Sequence, residues 1–153
     1  MTELARTYGH GLLSLAEISR TELLPLAYLE QLIGELRRAG LVEGVRGLHG
    51  GYRLTRAPDE ITVGEVYRVL EGPIAPVECT ADDYLPHSCD REDGCLSRTV
   101  WERVQQAITN VLDSTTLCDL SRERAAHPGT GLITIDTLTG ARDAVKEGCL
   151  KTP

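Results

Sequence analysis

The spacing of apolar residues changes period at Gly40, and that change limits the fold more than any other feature of the chain. Before it, Leu29, Leu32, Ile33 and Leu36 recur on one face at helical spacing. Pro25 suits the first turn of that helix, and Gly40 stops it. After it, Leu41–Arg46 and Tyr52–Thr55 read as two short strands. Gly47-Leu48-His49-Gly50-Gly51 joins them, and three glycines in five residues predict a hairpin with a mobile tip. Upstream, Ser14 with Glu17 three residues later is a capping-box pattern that opens a short helix ending near Thr21. Leu4–Tyr8 reads as the end of an earlier helix, stopped by Gly9 and Gly11.

Two short helices followed by a basic, glycine-tipped hairpin describe a mainly α fold containing a winged helix-turn-helix. The second helix of such a unit is narrow enough to enter a major groove and read base edges. On its outward face, Glu30 can accept from a cytosine amino group and Gln31 can pair with adenine. Tyr28 lies on the border of that face, and Arg37 and Arg38 suit phosphate. Arg46 on the hairpin could enter a minor groove, where negative potential is concentrated. The competing reading is a three-helix bundle whose charged face is merely solvated. A phosphate-binding loop fits less well, because the glycines run G-x-x-G-G and no G-K-[ST] follows.

Net charge is −7, but its distribution matters more than its sum. Residues 1–56 carry seven Arg against six Glu, whereas residues 57–153 carry nine Lys and Arg against 17 Asp and Glu. Arg37, Arg38, Arg46, Arg53 and Arg56 share their stretch with one acid, Glu43. A local basic patch of this kind attracts phosphate even on an anionic protein. No nucleophile–base pair or cofactor loop appears, which argues against an enzyme. No apolar run approaches the roughly 18 residues needed to span a bilayer, and no charged-then-apolar leader opens the chain.

Beyond the hairpin, Thr62 caps a helix through Leu70, which Gly72, Pro73 and Pro76 end. Residues 77–95 form a loop rich in Asp, Cys and Gly. A long helix from Leu96 to Leu112 follows, with an apolar stripe through Trp101, Val104, Ile108 and Val111. Asp113-Ser114-Thr115-Thr116 then supplies a cap for a last helix near Leu117–Arg124. The organisation expected is a DNA-binding unit (1–76), a cysteine loop (77–95), a dimerisation helix with a short final helix (96–124) and a tail without assigned role (125–153). That tail holds one possible strand, Leu132–Ile135, and a weak helix, Ala141–Glu147.

The five cysteines fit a metal site better than a disulfide framework, which indicates a cytoplasmic protein. Cys79, Cys89 and Cys95 are spaced C-x9-C-x5-C directly before the long helix. Thiolates suit zinc, iron–sulfur clusters or copper(I), and three unrelated surface thiols is the plain alternative. Cys118 sits in an apolar context and reads as packing.

Several runs resemble the Rrf-two family of bacterial transcription regulators. They are Tyr28-Leu29-Glu30-Gln31-Leu32, then Leu36-Arg37-Arg38-Ala39-Gly40-Leu41-Val42, then Val45-Arg46-Gly47-Leu48-His49-Gly50-Gly51-Tyr52-Arg53-Leu54. Ile61-Thr62-Val63-Gly64-Glu65-Val66 and Asp113-Ser114-Thr115-Thr116-Leu117 match as well, so the likeness covers residues 3–124. It implies a homodimeric repressor that binds a palindromic double-stranded operator. Tyr28, Glu30 and Gln31 fall at the recognition-helix positions and Arg46 at the wing arginine; Arg37, Arg38, His49 and Arg53 belong to the same expected DNA surface.

Family members begin about a dozen residues earlier, so the likeness implies that this chain starts inside their first helix. Cluster-binding members carry three cysteines just before a Leu-x4-Trp helix start, here Leu96 to Trp101. The resemblance therefore implies an iron–sulfur cluster of [2Fe–2S] type on Cys79, Cys89 and Cys95, with zinc or no metal as alternatives. Arg98 stands where the iron–sulfur regulators carry a His ligand, and Arg cannot ligate; His87, Asp82, Asp83 and Asp90 are the local substitutes. Leu70–Glu78 resembles instead a clusterless cysteine-metabolism repressor that acts with a protein partner. A winged-helix protein–protein adaptor is the remaining alternative.

Overall fold

A computed structural model describes residues 1–47 and 50–126, the side chains of 123–126 excepted. The chain runs through α1 (Thr2–Arg6), α2 (Leu15–Glu22), α3 (Leu26–Arg38), β1 (Val42–Val45), β2 (Gly51–Leu54), α4 (Val63–Glu71), α5 (Arg98–Ser114) and α6 (Leu117–Ala126). The expected strand Leu132–Ile135 and helix Ala141–Glu147 lie outside the described residues. The fold is mainly helical with one small sheet, as the sequence predicts.

Local chemistry sets each boundary. Ser14 Oγ accepts from the Glu17 backbone N–H at 3.2 Å, while the Ser14 N–H donates to the Glu17 carboxylate at 2.9 Å. Those two bonds satisfy donors that the first turn of α2 would otherwise leave open. Thr62 caps α4 by accepting from the Glu65 N–H at 3.1 Å. The cap of α6 comes from the last residue of the expected run. Thr116 and Asp119 form it, with the Asp119 N–H donating to Thr116 Oγ1 at 3.2 Å. Asp113, at the start of that run, faces α4. The long helix starts two residues later than expected and ends two later, because Ser97 rather than Leu96 precedes its first turn.

Strands β1 and β2 pair antiparallel with Val42 opposite Leu54 and Val45 opposite Gly51. Leu13 adds a third, single-residue rung, its N–H donating to Tyr52 O at 3.1 Å and its carbonyl oxygen accepting from the Tyr52 N–H at 2.9 Å. A Cβ on Gly50 would lie 2.4 Å from Val45 O, so the tight return of the hairpin requires glycine there.

The core joins Leu4, Ile18, Leu29, Ile33, Leu36, Leu41, Leu54, Ile61 and Leu117. Helices α1 and α6 pack together, so the chain returns after α5 to close the base of the winged unit. The Leu117 N–H donates to Ile61 O at 3.0 Å and the Val63 N–H to Thr115 O at 2.8 Å, which knits the end of α5 to the start of α4. α5 behaves differently. None of its 17 residues is buried in the single chain.

Candidate nucleic-acid interface and cysteine loop

α3 buries Leu29, Ile33 and Leu36 and turns its opposite face outward. Tyr28, Glu30, Gln31, Arg37 and Arg38 are all exposed. Arg38 folds along the helix, its guanidinium paired with Glu35. Arg37 makes no ion pair among the described residues. On the hairpin, Arg46 is exposed, and Arg53 donates from Nε to Glu43 Oε1 across the strands at 2.6 Å. His49 lies outside the described residues. The structure therefore gathers an outward helix face and a basic hairpin on one winged unit. It also shows that two of the arginines, Arg38 and Arg53, are already held by acids that a phosphate would have to displace.

The apolar stripe of α5 is open to solvent. Trp101 and Ile108 are each 39% exposed and Val111 is 49% exposed, while Val104 is half-buried. About 100° around the helix, a polar face attaches α5 to its own chain. Gln105 Nε2 donates to Ile74 O at 2.8 Å and to Thr80 O at 2.7 Å, tying α5 to the entrance of the loop. Arg68 of α4 donates to both oxygens of Asp113 at 2.7 and 2.8 Å. These bonds hold the Asp113 carboxyl below the usual carboxylate range. A Cβ on Gly64 would lie 1.9 Å from Asp113 Oδ1, so glycine is what lets the two helices approach. Gln105, Arg68 and Gly64 carried no sequence signal, because their partners lie 25–49 residues away.

In the loop, Cys79 and Cys95 are half-buried and Cys89 is exposed, and all three are free thiols. The Ser97 hydroxyl, 3.3 Å from Cys95 Sγ, draws that thiol below its usual range. Glu92 is the organising group. Its carboxylate accepts from the Tyr84 hydroxyl at 3.1 Å, from the His87 N–H and from Arg98 Nη1 at 3.1 Å. Arg98 also pairs with Glu102 at 3.1 Å and lies 5.7 Å from the centroid of the Tyr84 ring. Cys79, Tyr84, Glu92, Arg98 and Gln105 line a cavity of about 300 Å³ between loop and helix.

As a donor set, three soft thiols within 17 residues suit an iron–sulfur cluster or zinc. The arrangement here does not assemble them: no three Cys, His, Asp or Glu side chains among the described residues are grouped to hold a metal ion. Arg98 is engaged with two carboxylates and offers no lone pair. Cys118 is 2% exposed and packs in the core, as its apolar context predicts.

Residues 1–123 match the signature of the Rrf2 family, described as "Iron-dependent Transcriptional regulator". This chain belongs to the Rrf2 family. Among curated relatives, the "HTH-type transcriptional regulator CymR" of Bacillus subtilis is 47% identical over 121 residues, 79% of this chain and 80% of the relative. Among solved structures, that of CymR, "the Global Cysteine Regulator of B. subtilis", is 45% identical with a TM-score of 0.66, covering 80% of this chain and 87% of that one. The structure of T. potens IscR is 40% identical, also with a TM-score of 0.66, covering 85% of this chain and 84% of that one. The Rrf2 chain described here is a transcriptional regulator of winged-helix fold. No helix among its described residues is long and apolar enough to cross a membrane.

Proposed function

We propose that this Rrf2 protein is a cytoplasmic, homodimeric repressor whose DNA affinity is set by the state of the loop carrying Cys79, Cys89 and Cys95. The observation that carries the reading is the position of that loop. It enters α5 directly, and Gln105 bonds it to the same helix, none of whose residues is buried. A second copy placed against Trp101, Val104, Ile108 and Val111 would bury that stripe and set the distance between two α3 helices. That distance must match half-sites about one DNA turn apart. A change at the loop acts on DNA only by favouring one such geometry over another. Tyr28, Glu30 and Gln31 contact bases in this reading, Arg46 enters the minor groove, and Arg37, Arg38, His49 and Arg53 meet the backbone.

The three thiols are the group on which a cluster, of [2Fe–2S] type, would be held. Its fourth ligand would come from outside the thiol set, and Arg98 does not provide it. The second reading is a clusterless regulator of the CymR kind acting with a protein partner. It is favoured by the Glu92 clamp, which closes the loop with protein groups alone.

Anaerobic reconstitution of wild type and of the Cys79→Ala, Cys89→Ala and Cys95→Ala variants, with iron and sulfide assayed on each, separates the two. Iron and sulfide bound by wild type and lost from every variant supports the first reading. A colourless wild-type protein, or variants that hold as much iron as wild type, leaves the clusterless regulator.

A further inference from the structure

The turn into α3 is unusually apolar for a surface that meets DNA. From Leu23 to Leu29 the side chains offer a single hydrogen-bonding group, the Tyr28 hydroxyl. Leu23 is 89% exposed, Leu26 is 43% exposed and Tyr28 is 48% exposed, and Pro25 and Ala27 are exposed beside them. Leu23 also stands in the left-handed region, at φ 56° and ψ 35°, in a turn position where helix-turn-helix motifs often use glycine. A leucine in that conformation costs energy, and at this exposure it packs against nothing that returns it.

The patch occupies the turn before α3 and the first turn of that helix, so it adjoins Glu30 and Gln31 on the outward face of α3. Because the chain is a transcriptional regulator of the Rrf2 family, a DNA duplex is the occupant this end of α3 would meet. N-terminal residues of a recognition helix are the ones that reach base edges. Side chains without donors or acceptors can read one feature of a major groove, the C5-methyl group of thymine.

We propose that Leu23, Leu26, Ala27 and Tyr28 form a thymine-reading edge that complements the polar readers Glu30 and Gln31 behind it. The proposal rests on α3 being the recognition helix. It accounts for a strained, solvent-facing leucine as a contact made only in the complex.

The test uses the full-length protein and a duplex that wild type selects from a random-sequence pool. Each thymine of the selected duplex is replaced in turn by uracil, which removes the methyl group and keeps the base pair. Wild type should lose about fourfold in affinity at one or two positions per half-site, the worth of about 0.8 kcal/mol for one buried methyl-sized group. Leu23→Gly relieves the backbone and should keep or raise the thermal midpoint, yet bind the thymine duplex more weakly and respond less to uracil. Leu26→Ser should show the same reduced response. Uracil substitution without effect on wild type overturns the proposal, and so does a uracil effect equally large in wild type and in both variants. A wild-type protein that selects no duplex removes the DNA assignment itself, an outcome distinct from both.

Discussion

Residues 1–76 and residues 77–114 are held together by different physics. The winged unit is held by burial: Leu4, Leu41 and Ile61 are essentially excluded from water together with Leu117 of the returning α6, and its helices α2 and α4 carry side-chain caps. The loop and α5 have no core of their own. Glu92, Arg98, Gln105 and Asp113 hold them by polar contacts, part-buried or exposed, and their largest apolar side chains face outward. A region held by a buried core keeps one shape, whereas a region held by a few polar contacts without a core can be re-set at smaller cost. The division suits a regulator: a fixed reader joined to an adjustable spacer.

The largest effect expected from this contrast is in the core. Ile61 is 0% exposed, so Ile61→Ala should cost about 2–5 kcal/mol in denaturant unfolding. Leu96→Ala, at a residue 95% exposed, should stay within about 0.5 kcal/mol. Comparable losses at the two sites would erase the distinction between the regions.

Next in size is the α5 stripe. Ile108→Asp would place an unpaired charge in the proposed dimer interface, at a cost of several kcal/mol on the order of other uncompensated buried charges. Sedimentation should show a monomer while circular dichroism of the winged unit persists. A dimer that survives the substitution would mean that α5 is not the interface.

On the reading side, Arg46→Ala should weaken binding to a selected duplex by about 1–3 kcal/mol. Arg38→Ala should weaken all sequences alike and lower the salt slope by about one. Because Arg38 is already paired with Glu35, its loss should be the smaller of the two at a fixed salt concentration. The reverse order, measured by titration, would show that the wing does not carry the contact.

The smallest effect lies at the joint between the regions. Asp113 has its carboxyl held below the usual range chiefly by the hydrogen bonds from Arg68. Its folded-state value is depressed, so its contribution is full above the ordinary carboxylate range and is lost as pH falls through the folded value. Asp113→Asn should therefore be less stable than wild type near neutral pH, with the difference shrinking under acid conditions. A difference that is constant with pH would indicate a packing effect at Gly64 rather than the ion pair.

The winged unit was legible in the sequence because its determinants are local. The capping box at Ser14, the stripe Leu29–Ile33–Leu36, the stop at Gly40 and the glycines of the hairpin each act within a few residues. The α5 stripe was legible for the same reason. What escaped was long-range and polar. Asp113 opens a run that reads as a helix cap, and Thr116 at its end does cap α6, but Arg68, 45 residues upstream, claims Asp113 itself. Glu92 looked like one more acid in an acidic loop, and only the fold brings Tyr84, His87 and Arg98 to it. The three cysteines were visible by spacing, but spacing does not show that the loop has a protein-only way of closing.

The central claim is that the state of the cysteine loop changes the affinity of the winged unit for DNA. It is tested most directly by measuring the affinity of one wild-type preparation for one selected duplex, before and after anaerobic loading with iron and sulfide. The account predicts a clear change in affinity that the Cys89→Ala variant does not show; equal affinity of the loaded and unloaded protein would contradict it.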